Sequence, residues 1–501
     1  MSAGALPSLV FGEHSLKCLS FLTAAAALAG GITAASRPPA LSPVPCVDIA
    51  VEGLRCAVLR VPEDRSAASG RTIEIHVAVA PAMEEKPLPD PVFFFYGGPG
   101  AAASDEATKT ERYWRRTRAR RDLVFIDQRG TGRSAPMHCT YQGDPDDPNT
   151  YAVDLFDIGH LKACRDRLAT THDLARYGTA DAIRDADAVR AALGYERINV
   201  VGESYGTRVA QEYLRRYPER VRAAVLLGAV PPSASITEGM AASLDAVLEQ
   251  FFRSCETDRA CAGAHPDLRA DTTAFFNEVR AVGVTATVGL DQGEARPARI
   301  SYAHAIAWIR SRLYSVQEAA RLPRILTRAA RGDGAELVRG ALRWRRGLSR
   351  SLAEGMYASV ACAEDMPFVD VESETAAAAF TWLGDHRVAS QQAACALWPR
   401  AEVAADIKDP VTAATPMLVI NGDRDPATSV DWARAVVQHA GDARLVVARN
   451  RSHAMTFEFE ACLGPIAERF LETADTGAVD DSCAATIRLP PFEIDDRSGT
   501  P

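Results

Sequence analysis

Apolar, β-branched runs recur along the chain at 73–80, 92–96, 123–127, 198–201, 223–227, 417–421 and 444–447. Most lack strict alternation with polar residues, which is the pattern of strands covered on both faces of a parallel sheet. Between them lie segments with apolar residues three and four apart. These predict helices over 179–193, stopped by Gly194, over 207–217, stopped by Pro218, and over 430–439. Strand and helix in alternation imply a mostly parallel sheet with helices on both faces. From about 231 to 408 the strand pattern nearly vanishes and Ala- and Arg-rich amphipathic segments take over. Two more strands follow, so this stretch reads as a helical cap inserted into the sheet domain.

Composition narrows the class. Among 501 residues, 47% are hydrophobic and 24% charged, which excludes a disordered or low-complexity chain. A net charge of −9 argues against a general nucleic-acid binder. Lys17 precedes an uncharged, Ala- and Leu-rich run at 18–32, small residues at 33–35 and a Pro-rich stretch at 36–45. That order predicts a signal peptide over 1–35 and a secreted or periplasmic protein with no stable membrane span after cleavage. A buried Ala-rich helix and an uncleaved anchor are the alternatives. Cys18 stands at the start of the apolar run, where a lipid-attachment cysteine would not. The other ten cysteines fall in close pairs: Cys46 with Cys56, Cys139 with Cys164, Cys255 with Cys261, Cys362 with Cys395 and Cys462 with Cys483. Disulfides of an oxidising compartment explain them better than core thiols, and nearest-neighbour pairing is the simplest of many connectivities.

The sharpest chemical signal is Gly202-Glu203-Ser204-Tyr205-Gly206, a G-x-S-x-G motif directly after an expected strand and before an expected helix. Such a turn lifts a serine hydroxyl above a sheet as a nucleophile. A nucleophilic serine needs a base, and the base an orienting carboxylate. In this arrangement the acid and then the histidine follow the serine. His453, after the last expected strand, fits the base. Asp425 and Asp423 both follow the preceding strand; Asp425 is favoured because Asp423 reads as a turn former. The oxyanion of an attacked carbonyl needs backbone donors, expected from Tyr205 and from Gly98 in Gly97-Gly98-Pro99-Gly100.

Together these motifs resemble the prolyl and tripeptidyl aminopeptidase family of α/β-hydrolase serine peptidases, in particular its secreted bacterial branch. The match is carried by Gly97-Gly98-Pro99-Gly100, by Asp127-Gln128-Arg129-Gly130-Thr131-Gly132-Arg133-Ser134, by Gly202 to Thr207, by Asn421 to Thr428 and by Ser452-His453. Cys362-Ala363-Glu364-Asp365, Cys395, Trp398-Pro399, Cys462 and Cys483 extend it over about residues 46–493. The chain departs from the pattern where Ala101-Ala102-Ala103 follow the glycine loop and where Ser452 stands in a position commonly Gly. The resemblance implies an α/β-hydrolase fold with an inserted helical cap, peptide substrates cut from the free amino end, and neither metal nor organic cofactor. The patterns along the chain divide it into 1–35, signal peptide; 36–230, first part of the core; 231–408, cap; and 409–501, the core part carrying Asp and His. Gly-Glu-Ser-Tyr is also similar to the motif of serine carboxypeptidases, where Asn precedes the glycine loop; here that position is Tyr96. An esterase or other small-molecule hydrolase is the further alternative.

An aminopeptidase must hold a charged amine in a partly dry pocket, which calls for an opposite charge. Glu364 and Asp365, beside Cys362, are the expected carboxylates, with Glu203 next to the nucleophile as a second candidate. Salt-bridge or helix-end roles for the first two, and a buried supporting role for Glu203, are the alternatives.

Overall fold

The computed structural model describes residues 40–67, 69–291, 293–454 and 459–494. The expected signal peptide, with Cys18, lies outside them. The strands are β1 Ser42–Val44, β2 Arg55–Pro62, β3 Thr72–Ala80, β4 Val92–Phe95, β5 Leu123–Ile126, β6 Ile198–Glu203, β7 Val221–Leu227, β8 Val284–Val288, β9 Arg296–Ile300, β10 Met417–Gly422 and β11 Ala443–Ala448. Nine of them form one sheet in the order β1-β2-β3-β5-β4-β6-β7-β10-β11. From β5 to β11 every neighbouring pair is parallel, and the β1-β2-β3 edge joins antiparallel.

The unalternating runs are explained by two covered faces: β4, β5 and β10 are buried along their whole length. In β4, Phe93 and Phe95 enter one apolar cluster and Phe94 enters the cluster on the opposite face, as the two-residue period of a strand requires. The helix Thr179–Leu193 ends at Gly194, whose φ of 82° closes it in the left-handed region. The helix Tyr205–Arg216 stops just before Pro218.

Between β7 and β10 the chain is largely helical and encloses a separate apolar cluster that includes Leu244, Phe252, Ile306 and Leu342. The expectation of a strand-poor stretch needs one correction, because β8 and β9 form an antiparallel hairpin there. Each is only five residues long, and β9 carries Pro297 between exposed Arg296 and Arg299. Such an edge strand is polar enough to escape a hydrophobic pattern. The short β1 and the half-exposed β2 escaped it for the same reason.

Five disulfides join the ten cysteines of the described residues in nearest-neighbour pairs. Among the described residues, no helix is long and apolar enough to cross a membrane.

Candidate active site

β6 ends at Glu203 and a helix begins at Tyr205, so Ser204 alone turns the chain. It does so at φ 55° and ψ −124°, a conformation that costs an L residue about 1–3 kcal/mol. The turn is held from both sides. The Ser204 N–H donates to Leu227 O in β7 at 2.9 Å, and the Thr207 N–H and hydroxyl donate to Ser204 O at 2.9 and 2.6 Å. A Cβ on Gly206 would overlap the Phe95 carbonyl, and one on Gly97 would lie 2.8 Å from Ser204 Cβ. Only glycine lets the loop after β4 run this close to the serine. Gly97, Gly98 and Tyr205 line one cavity together with Ser204.

The Asp127–Ser134 stretch braces that loop. Asp127 accepts hydrogen bonds from the Ser104 N–H and hydroxyl, both at 2.8 Å, and from the Arg133 N–H at 3.0 Å. Fully buried Arg129 donates to both oxygens of Asp185 at 2.7 and 2.9 Å. These charges are matched inside the fold.

His453 follows β11 and its Nδ1 lies 2.8 Å from Asp425 Oδ2. Asp425 is buried among donors: the Ala427 and Thr428 N–H groups on Oδ1 at 2.7 and 2.8 Å, and the Thr428 hydroxyl on Oδ2 at 2.7 Å. Burial pushes the Asp425 carboxyl up, but the imidazole and these donors outweigh it and hold it below the usual carboxylate range. Burial disfavours a charged His453, yet Asp425 and Glu203 raise it above the ordinary 6.5. Asp423, by contrast, is half-buried, and its Oδ1 has no hydrogen bond among the described residues. Ser452 explains its own departure from glycine: Oγ lies 2.5 Å from Leu313 O and 2.8 Å from Arg424 O, sharing one proton between them. It fastens the histidine loop to the Asp loop and to the inserted helices. The Tyr314 ring then meets the imidazole edge-on, with centroids 4.9 Å apart.

Ser204 and His453 line a cavity of about 580 Å³, a size typical of small-molecule sites. Its carboxylates are Glu106, Asp154, Glu203 and Glu354. Glu354 is engaged by Arg345 at 2.7 Å, by the Tyr141 hydroxyl at 3.0 Å and by His160 at 3.0 Å. Burial opposes its ionisation, but His160 and Arg345 prevail and bring it down to about 2. Glu203 accepts no hydrogen bond from the described residues. Burial raises its carboxyl, while His453 and Lys109 pull the other way. Cys139, His160 and Glu354 bring three ligand-type atoms within 4.8 Å of one another. Cys139 is bonded to Cys164 and Glu354 is already surrounded by donors, so the group does not fit a metal.

Glu364 and Asp365 are not where an ammonium could reach them, and neither lines the cavity. Glu364 accepts from the Thr179 N–H and hydroxyl, both at 2.6 Å. Thr179 Oγ1 in turn receives the Tyr205 hydroxyl at 2.7 Å, so Glu364 supports the residue after the serine from behind. Asp365, 1% exposed, holds Arg208 at 2.9 Å and Lys408 at 3.5 Å. The sequence offered the right charges in the wrong direction, because a buried helical turn decides which way its carboxylates face. Arg310, Arg387, Glu354 and Tyr314 line the cavity without having been singled out; single residues on or just after helices carry no local motif.

Residues 90–460 match the alpha/beta hydrolase fold family. The chain is 26% identical to serine protease Hip1 of Mycobacterium tuberculosis over 458 residues, which covers 84% of this chain and 85% of that one. It is 25% identical to the tripeptidyl aminopeptidase of Streptomyces lividans over 479 residues, covering 86% and 84%. It is 28% identical to carboxylesterase B of M. tuberculosis over 444 residues, covering 82% of each. With the family match spanning most of its length, and the sheet and serine turn described above, the chain belongs to the α/β-hydrolase fold family.

Proposed function

We propose that the protein is an exported serine peptidase that releases residues or short peptides from the free N-terminus of peptide substrates. One observation carries the reading: a serine on a strained strand-to-helix turn and an Asp-paired histidine line a cavity together with Glu203, whose carboxylate accepts no hydrogen bond from the described residues. Ser204 Oγ attacks the scissile carbonyl as His453 takes its proton. Asp425 keeps the Nδ1 proton in place and stabilises the imidazolium. The Gly98 and Tyr205 N–H groups receive the oxyanion. His453 then protonates the leaving amine, and water releases the acyl group by the same steps in reverse. Glu203 holds the substrate ammonium. The serine protease and tripeptidyl aminopeptidase relatives support a peptidase. The carboxylesterase relative favours a second reading, an esterase that needs no amine.

Mass spectrometry of products from one peptide with its amino end free or acetylated separates the two. Loss of N-terminal fragments from the free peptide alone is the expected result. Equal cleavage of both forms would sink the exopeptidase reading, and release of C-terminal residues would assign a carboxypeptidase. Export rests on the five disulfides, which need an oxidising compartment. Native material should lack the signal segment and weigh about ten hydrogens less than the reduced chain, two per bridge.

A further inference from the structure

We propose that the cavity binds a carboxylate of the substrate through two arginines on its helical wall, Arg310 and Arg387. The proposal deepens the hydrolase reading of Ser204, on which it rests, by naming a charge its substrate carries.

Arg387 lies in the helix His386–Leu397 and Arg310 in the helix Tyr302–Arg312, and both line the cavity with Ser204 and His453. Arg387 is only 8% exposed. Its polar contacts are neutral: Nη1 donates to Gln391 Oε1 and Nη2 to the Tyr357 hydroxyl, both at 2.8 Å. Its guanidinium carbon sits 4.1 Å from the centre of the Phe156 ring. Arg310 donates to Pro426 O at 3.2 Å and lies 5.1 Å from the centre of the Tyr314 ring, while its buried Nε has no hydrogen bond. Among the described residues, neither arginine has a carboxylate within ion-pairing distance.

Most of the buried arginines among the described residues are paired instead. Arg118, Arg121, Arg129, Arg208, Arg345 and Arg346 are buried like Arg387, and each meets a carboxylate at 3.0 Å or closer. Arg312, on the same cavity wall as Arg310, is paired with Glu318 at 2.8 Å. Arg310 and Arg387 face the same space: burial first, and then the charge of Arg310, act against the protonated form of Arg387, while the Tyr357 hydroxyl favours it. A buried cation without a counter-charge destabilises a fold. Here the Arg387 guanidinium is already desolvated and held by ring and hydroxyl contacts, and Arg310 by a ring and a carbonyl, so an entering carboxylate finds preorganised donors.

The location fits the chemistry. Arg310 touches the carbonyl next to Asp425, and the Tyr314 ring beneath it packs on His453. The cavity thus has an acidic residue, Glu203, beside the serine and a cationic wall on the inserted helices. A short peptide offers both complements: an ammonium at one end, and a carboxylate either at the other end or on an Asp or Glu side chain.

The test measures kcat/KM for matched pairs on the full chain. One pair is a short peptide as the C-terminal acid or amide; a second series replaces Gln by Glu at each position. A third pair is the p-nitrophenyl monoester of glutaric acid against the neutral valerate ester. The wild type should prefer the carboxylate by about tenfold or more in at least one comparison, the scale of one charge-assisted hydrogen bond. The first two comparisons tell a terminal from a side-chain carboxylate. Arg387→Gln should lose about tenfold of that preference, and Arg387→Lys should recover part of it. The melting midpoint of Arg387→Gln should equal or exceed that of wild type, because an unpaired buried charge has gone. If that variant does not fold, Arg310→Gln, at a less buried position, makes the same comparison. Equal rates within every wild-type pair, or a preference unchanged in both variants, would overturn the proposal. The peptidase reading fails separately: if no peptide is cut, the ester pair still tests the arginines, and N-terminal cleavage without any carboxylate preference refutes only the arginines.

Discussion

On the sheet side of the cavity, Gly97, Glu203, Ser204 and His453, with Asp425 behind the histidine, all stand at or beyond strand ends. On the helical side, Arg310, Trp344, Glu354 and Arg387 stand on helices of the stretch between β7 and β10. The first wall is built by backbone: a strained turn at Ser204, glycines that permit close approach, and N–H groups that hold Asp425. The second wall is built by pairing of side chains across helices, where a charge acquires meaning from what stands beside it. Glu364 and Asp365 are matched within the fold, Glu354 is matched at the cavity edge, and Arg310 and Arg387 have no carboxylate partner among the described residues. Fixed backbone suits chemistry that tolerates little displacement. Side chains on helices can change to suit a different substrate without disturbing the serine turn.

This contrast predicts that the largest losses come from the sheet side. Ser204→Ala should lower kcat on the order of 10⁶-fold, the scale of removing a nucleophile, with an unchanged circular dichroism spectrum. Asp425→Asn should cost about 10⁴-fold by stabilising the wrong imidazole tautomer. Asp423→Asn should cost far less; a reversed ranking would reassign the acid. In the wild type, the acid limb of kcat/KM should fall above the ordinary histidine value of 6.5, because Asp425 and Glu203 raise His453 and the base must be neutral to act. An acid limb below that value would contradict the buried pair.

The same division explains what the sequence made legible. Strands buried on both faces announce themselves as unbroken apolar runs, and the helices 179–193 and 430–439 end where the pattern says. Ser204, Asp425 and His453 could be singled out because each belongs to a short segment whose residue types are dictated by local backbone. β8 and β9 were illegible because an edge hairpin with Pro297 and exposed arginines has no hydrophobic period. For Glu364 and Asp365 the structure supports the salt-bridge alternative over the substrate role, because proximity to Cys362 fixes a backbone but not the direction of a side chain. Arg310 and Arg387 carry no sequence signal at all; what sets them apart from Arg129, Arg208 or Arg345 is that no carboxylate of the described residues pairs with them, which is a fact about three-dimensional neighbours.

Glu203 stands where the two walls meet and should show an intermediate effect. Glu203→Gln should raise KM for free-amine peptides by about tenfold, equal to ~1.4 kcal/mol of binding. It should leave kcat for a simple acyl ester nearly untouched. Because the Glu203 charge helps raise His453, its removal lowers the imidazole value, and the acid limb should move to lower pH. Equal losses on peptide and ester, with no movement of the acid limb, would make Glu203 a support for the turn and nothing more.

The smallest effects on activity should come from the carboxylates matched within the fold, and there the cost should appear as stability. Asp365→Asn leaves Arg208, 3% exposed, facing Lys408 with only the more distant Glu364 as counter-charge. Breaking one side of a buried ion pair typically costs about 3–5 kcal/mol. Glu364→Gln keeps the shape but loses one of two acceptors for Thr179, worth about 1–3 kcal/mol. Urea unfolding should resolve both losses, with Asp365→Asn the larger. KM for free-amine peptides should stay within about twofold of wild type in the folded fraction of each variant, well short of a lost charge-assisted contact. Glu364 reaches the nucleophile only through Thr179 and the Tyr205 hydroxyl, so a modest fall in kcat can accompany its loss of stability. A tenfold rise in KM with stability intact would mean that these carboxylates do face the substrate, and the contrast between the two walls would fail.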